Sequence, residues 1–286
     1  MKKMKKIHKL VQLEKIANGV RQDIIAMLVE AGSGHSAGPL GMADVFTALY
    51  FNVLNHDPKR PGWDGRDRLY LSAGHICPVR YAAMIRAGYG KPAELKTLRK
   101  LGTRLQGHPA LAHWPAVEAS GGPLGQGISV AVGAALAARM DGKKHFVFCV
   151  TGDGELDEGQ AWEAFMFAGK KRLNNLIAIV DRNNIQIDGH TEDVLPLEPL
   201  RDKFEAFNWH VLEVDGNNIE QVIDACEFAK TIYEKPTVIL AHTVPGKGVD
   251  YMEFDPAWHG KTPEAGEQAR EALRQLRSLG GQIEPE

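Results

Sequence analysis

Between Leu10 and Glu30 the apolar positions Leu10, Leu13, Ala17, Val20, Ile24 and Met27 recur at steps of three and four, the spacing of one buried helix face. Ala31-Gly32-Ser33-Gly34 ends that helix, and His35 to Gly41 is too rich in glycine to read as helix. Asp44 to Asn52 reads as the next helix, and Asp57 to Asp67, with two prolines, as a linker. Arg68 to Leu71 then has the short apolar run of a strand, followed by a helix over about Val79 to Ala87. Ala119 to Gly127, ASGGPLGQG, is a loop lined by backbone. The helix after it, about Gly127 to Met140, carries small residues that permit close packing against a sheet or an equivalent helix. His145 to Val150 and Leu176 to Val180 are continuous apolar runs, as in strands buried on both faces. A helix of about Glu158 to Lys171 separates them. Gly189 to Pro199 reads as a loop, and Phe204 to Ala206 ends a short helix. Strands at His210–Val214 and Thr237–His242 flank a helix over Ile219 to Lys230. A charged helix of about Glu264 to Leu279 and a polar tail close the chain.

This alternation predicts an α/β fold: a doubly wound, mostly parallel sheet flanked by helices. With 286 residues, 44% of them hydrophobic and 24% charged, the chain is long enough for one large domain. A net charge of −2 supplies no global basic field for nucleic acid, although a local pocket can still take an anion. Cys77, Cys149 and Cys226 are far apart, with no zinc or disulfide spacing. The basic start MKKMKKIHK leads into an amphipathic segment rather than an apolar core, so no signal peptide is read. The longest apolar stretch, Ile128 to Ala138, is too short to span a membrane. A reducing cytoplasm is the expected setting.

Candidate chemistry concentrates between Val147 and Gly189. The first strand breaks into Thr151-Gly152-Asp153-Gly154, and the second ends in Asp181-Arg182-Asn183-Asn184-Ile185. A strand–helix–strand unit makes these strands parallel neighbours, so both polar clusters lie at their carboxyl ends, the ligand edge of an open α/β sheet. The Asp153 carboxylate, the Asn183 amide oxygen and a backbone carbonyl near Ile185 are hard ligands suited to Mg²⁺ or Ca²⁺. Such a cation keeps positions for phosphates, and the following helix N-terminus favours an anion. The plain alternative is two strand-end turns, since Gly-Asp-Gly and Asn-Asn both make turns. Asp215 to Asn218 reads as only a turn and helix cap. Gly260-Lys261-Thr262 has the ending of a Walker loop, but Asp255 stands where its first glycine is needed, and no G-x-G-x-x-G occurs. His35, His75, His108 and His259 each adjoin a glycine. Brought to one cleft, they could bind hydroxyls and shuttle protons near neutral pH.

GDGELDEG, followed after roughly thirty residues, one βαβ unit, by an asparagine pair, resembles the thiamine-diphosphate signature of transketolases. In that family the aspartate, the asparagine and a backbone carbonyl hold the metal, and the metal holds the diphosphate. The resemblance implies Asp153, Asn183 and Ile185 as metal ligands, with Gly154 beside the diphosphate. Glu158 matches a glutamate at the contact between two cofactor domains, where deoxyxylulose-phosphate synthase typically has glycine. GSGHSAGPLGMAD and RDRLYLSAGH resemble segments whose histidines, here His35 and His75, face substrate and cofactor. Ser36 stands where the first usually has proline, and Ile76 to Arg80 departs from the usual small residues. His108 resembles a third active-site histidine. GPLGQGIS resembles a loop reaching the cofactor's pyrimidine, which implicates Gly122 and Leu124. KGVDYMEFDPAWHG resembles a late loop in which a histidine, here His259, contacts diphosphate and substrate.

The resemblance covers about 10 to 262, yet only the first domain of the family pattern. It implies one diphosphate-binding domain over 1–286, using thiamine diphosphate with Mg²⁺ or Ca²⁺, in a transketolase that moves a two-carbon ketol unit between sugar phosphates. The pyrimidine-binding domain is expected on a separate C-terminal subunit, with self-association of this chain in an α2β2 heterotetramer, and with neither nucleic acid nor membrane as a partner. Two other readings are half of a different thiamine enzyme, acting on a 2-oxo acid or an unusual ketose, and a non-catalytic subunit for assembly. Mg²⁺-dependent phosphohydrolase chemistry is disfavoured, since no carboxylate pair or nucleophile stands beside Asp153 in the sequence.

Overall fold

A computed structural model describes residues 4–283. Its main sheet has five strands, β1 (Arg68–Leu71), β2 (Val147–Gly152), β3 (Leu176–Arg182), β6 (His210–Asp215) and β7 (Thr237–His242). They are ordered β1-β2-β3-β7-β6, and all neighbours are parallel. Between β3 and β6 a two-stranded antiparallel hairpin forms from β4 (Ile185–Gln186) and β5 (Gly189–His190).

The inner strands are buried on both faces because each face has its own helical layer. Phe148, Val150, Ile177, Ile179 and Ile239 point into a core shared with α1 (Leu10–Ala31), α3 (Ala43–Ala48), α4 (Cys77–Arg86), α9 (Ile219–Ala229) and α10 (Glu267–Ile283). The alternate residues Val147, Cys149, Ala178, Val180 and Leu240 face α5 (Gln126–Met140), α6 (Gly159–Lys171) and α8 (Leu200–Ala206). An aromatic cluster of Trp162, Phe165, Phe204 and Trp209 fills that second layer. The β2-to-β3 crossover runs through α6 on one face. The β6-to-β7 crossover returns through α9 on the other, as right-handed crossovers require when the strand order reverses. Such a reversal leaves a crevice at the carboxyl ends of the central strands.

Several expectations from the pattern are corrected. The glycine-rich stretch expected as loop contains a short helix, α2 (Ala37–Gly41). Burial explains it: a Cβ on Gly38 would lie 2.9 Å from Ile76 Cγ2, and one on Gly41 2.8 Å from the Val244 carbonyl. Glycine is needed there for close approach, so its weak helix propensity is overridden by packing. The helix expected from Asp44 to Asn52 is α3 followed by a wider turn over Leu49–Val53. The loop expected from Gly189 to Pro199 carries β5 and one helical turn, α7 (Thr191–Val194). Asn218 caps α9, its Oδ1 accepting from Gln221 N at 3.1 Å, as the turn-and-cap reading expects. The C-terminal helix runs from Glu267 to Ile283, so only the last residues of the expected polar tail, like the first three of the chain, lie outside the described residues. Cys77, Cys149 and Cys226 are buried free thiols. Among the described residues no helix is long and apolar enough to cross a membrane.

Candidate active site

The carboxyl ends of β1, β2 and β3 open into a cavity of about 260 Å³. Its walls include His35, His75, His108, Gly122, Leu124, Asp153, Gly154, Asn183, Ile185 and His259. Of the residues singled out from the sequence, only Glu158 stays outside; it is exposed, at the N-terminus of α6.

Register places the two polar clusters side by side. Gly152 pairs with Asp181 across β2 and β3, so the chain emerges from both strands at one level. Asp153 is almost fully buried. Its Oδ1 accepts from Gly154 N at 2.8 Å, and its Oδ2 from Asn184 N at 2.7 Å and from Arg182 Nη1 at 3.2 Å. Burial is the largest influence on this carboxyl and pushes its pKa up to about 6 against those donors. Asp181, wholly buried beside it, is pushed up to about 7, again chiefly by burial. Asp181 accepts from Asn183 Nδ2 at 2.9 Å and from Thr243, which follows β7. These bonds aim the Asn183 amide, whose Oδ1 in turn accepts from Ile185 N at 3.0 Å.

The donor set fits a hard divalent cation. Asp153, paired with Arg182 on one side, lines the same cavity as Asn183 and Ile185, so that a carboxylate, an amide and a backbone carbonyl supply oxygen donors of the kind such a cation takes. Arg182 stabilises the arrangement from behind, donating also to Thr191, Glu192 and Glu198.

Three histidines cluster in the wall of the same cavity. Ring centroids are 4.9 Å apart for His35 and His75, 5.1 Å for His75 and His259, and 5.7 Å for His35 and His259. Burial is the first cause in lowering all three; His35 falls to about 4 and His75 lies well below its ordinary value. They are therefore neutral imidazoles at pH 7, each with one donor and one acceptor nitrogen. Nδ1 of His35 and of His259 is buried without a hydrogen-bond partner, a cost that a bound polar ligand removes. His108 lines the same cavity beside Gly74 and Gly122; a Cβ on Gly74 would come within 2.8 Å of Gly122 N.

Sequence reasoning missed Glu155, which lines the same cavity. It accepts from the Ser72 hydroxyl after β1, from Gly125 N at 2.8 Å and from Gly152 N at 3.0 Å. One buried carboxylate thus ties the ends of β1 and β2 to the loop before α5. Its position inside GDGELDEG was visible in the sequence, but its partners lie 30 and 83 residues away. No lysine or arginine is among the side chains lining the cavity, so its described walls bring hydroxyl-binding imidazoles and a cation site but no group for a terminal anion.

Comparison with known proteins agrees with this geometry. Residues 13–279 match the family described as transketolase, thiamine diphosphate binding domain. The 6-deoxy-6-sulfo-D-fructose transketolase subunit SqwG of a Clostridium species is 45% identical over 87% of this chain and 90% of its own length. An apulose-4-phosphate transketolase subunit of Phocaeicola vulgatus is 38% identical over 93% of this chain and 94% of its own length. The crystal structure of transketolase from Campylobacter jejuni superposes with a TM-score of 0.88 at 34% identity, over 96% of this chain but 43% of that one. The chain therefore spans less than half of that longer protein while matching the subunit-length relatives nearly end to end. By fold and sequence, it belongs to the transketolase family, as a member carrying that family's thiamine-diphosphate-binding domain.

Proposed function

We propose that this chain is the diphosphate- and metal-holding subunit of a two-chain transketolase, which transfers a two-carbon ketol unit from a ketose phosphate to an aldose phosphate. The reading rests on one observation: the donor set of Asp153, Asn183 and Ile185 and all four histidines line a single cavity at the strand ends. Asp153, Asn183 and the Ile185 carbonyl hold Mg²⁺ or Ca²⁺, with Gly154 and His259 beside the diphosphate. Gly122 and Leu124 border the pyrimidine. Thiamine diphosphate, when bound, supplies the electron sink that lets a carbon–carbon bond next to a carbonyl break. The protein's part is orientation and proton transfer: neutral His35, His75 and His259 hold sugar hydroxyls and exchange protons with them.

A partner subunit brings the pyrimidine-binding domain. It also brings the groups for the sugar's anionic end, which the cavity walls of this chain lack. Glu158, exposed at the start of α6, faces that contact. Val130 and Met140 on α5 and Met166 and Phe167 on α6 are exposed apolar side chains, and we assign this face to assembly of an α2β2 heterotetramer. The relatives named for sulfofructose and apulose phosphate support a ketose outside the pentose phosphate pathway as a second reading, beside the pathway's own sugars. The three buried thiols suit a reducing cytoplasm.

The test is to purify the chain and titrate thiamine diphosphate with Mg²⁺, with Ca²⁺ and with EDTA, then to assay sugar pairs with and without the partner chain. Binding that depends on the metal, is weakened about 100-fold by Asp153→Asn, and gives turnover only with the partner is the expected result. Full turnover by this chain alone, or no metal-dependent binding even in the pair, contradicts the reading.

A further inference from the structure

Ser36 is the residue at which this chain departs from the proline of the family segment, and the structure gives its hydroxyl a task that proline cannot perform. Ser36 is fully buried. Its Oγ donates to the Lys261 carbonyl at 2.6 Å and lies 3.3 Å from the Trp258 carbonyl. Those two carbonyls bracket His259 and Gly260. We propose that Ser36 is the positioning residue for His259: its hydroxyl clasps the backbone turn that carries His259 and sets that ring against His35, the residue next to Ser36 in the chain.

Three observations carry the assignment. First, His259 Nδ1 is buried without a hydrogen-bond partner, so no bond at that nitrogen orients the ring, and its place depends on the backbone that holds it and on the His35 and His75 rings beside it. Second, the other neighbours of the turn are side chains, which adjust more readily than a hydrogen bond to its backbone. A Cβ on Gly260 would lie 2.6 Å from Ile187 Cδ1, the movable tip of an exposed side chain. The Lys261 ammonium sits 4.6 Å over the Trp258 ring, which packs 5.1 Å from Tyr251. Third, a neighbouring contact runs the same way: Gly246 N donates to the Ala37 carbonyl at 2.9 Å. The start of α2 and the loop after β7 are thus latched at two points, and the Ser36 latch is the one that reaches the histidine turn. Removing it leaves the Lys261 carbonyl without this donor and frees the turn to drift. A misplacement of about 1 Å at a catalytic group can lower a rate about 100-fold.

The inference rests on the transketolase reading only for the consequence on turnover; the clasp itself is tested on the free chain. Long-range ¹H–¹⁵N histidine spectra at constant pH report each ring's tautomer and surroundings. Ser36→Ala is expected to move the His259 and His35 signals while leaving His56 unmoved, and Ser36→Thr, which keeps the donor, to restore them. In the complex with the partner chain, Ser36→Ala is expected to lower kcat at least tenfold with a smaller change in KM for the sugar, and Ser36→Thr to recover most of it. If Ser36→Ala does not fold, Ser36→Cys, close in volume and a weak donor, takes its place. Spectra of a folded variant in which His259 is unchanged, or a loss of rate that Thr does not recover, overturn the proposal. Failure of the wild-type complex to bind thiamine diphosphate instead overturns the functional reading and leaves the clasp standing.

Discussion

Glu155→Gln replaces one acceptor oxygen by an amide nitrogen that must face a donor. Whichever way the amide turns, the Gly152 N–H or the pair of Ser72 and Gly125 loses its acceptor. Leaving such a group unpaired in a buried site costs about 1–3 kcal/mol, more where a charge is lost. The variant is expected to lose about 2–4 kcal/mol in denaturant unfolding and to bind thiamine diphosphate about tenfold more weakly, because the Gly125 loop is no longer held. A full loss of stability with unchanged cofactor affinity would show that Glu155 serves the fold alone. At this scale the sequence was legible where chemistry is local. Asp153 and Asn183 stood out by residue type and spacing, and each histidine by its neighbouring glycine. Glu155, Asp181 and Arg182 did not stand out, because an acidic or basic side chain in a motif looks the same whether it faces solvent or a buried donor.

The loop and helix around α5 show how glycine differs from place to place within one element. Gly127 meets the end of β1 so closely that a Cβ would lie 2.5 Å from Ser72 Cα, a backbone atom that cannot swing aside. Gly133, further along the same helix, has no atom within 4 Å of that position. Gly127→Ala is expected to destabilise the chain by about 1–3 kcal/mol through overpacking and to weaken cofactor binding by shifting the preceding loop. Gly133→Ala should stabilise the free chain by up to about 1 kcal/mol, the ordinary gain in helix propensity. Paired thermal melts and cofactor titrations check both, and equal behaviour of the two variants would remove Gly127 from the site's support. The helices and strands themselves were legible from hydrophobic periodicity, including the β2–α6–β3 unit. The corrected elements, α2, the turn after α3 and α7, are short segments whose conformation is set by what they pack against.

Over the whole molecule, pH acts on stability through groups of opposite sign. His35 falls to about 4 in the folded chain against 6.5 in the unfolded one. The unfolded chain therefore binds a proton in that window that the folded chain refuses, and stability from this group is lost as pH falls from about 6.5 towards 4. Buried Asp153 and Asp181, raised to about 6 and about 7, act the other way: the stability they add in their protonated form is lost as pH rises through those values. The difference between wild type and His35→Asn isolates the histidine. In metal-free urea unfolding, the wild type is expected to lose about 2 kcal/mol more than the variant between about pH 7 and pH 5; parallel curves would show that His35 is not held neutral by burial. Sequence alone determined the parallel α/β class, the ligand edge and the residue types proposed to meet a cation and a diphosphate. Periodicity records which side of each element is dry, and a βαβ unit admits one handedness. Only the tertiary structure decided which side chains share the cavity, why a buried serine replaces a ring at position 36, and which charges are paired behind Asp153. Those depend on contacts between segments far apart in the chain, whose distances no local pattern encodes.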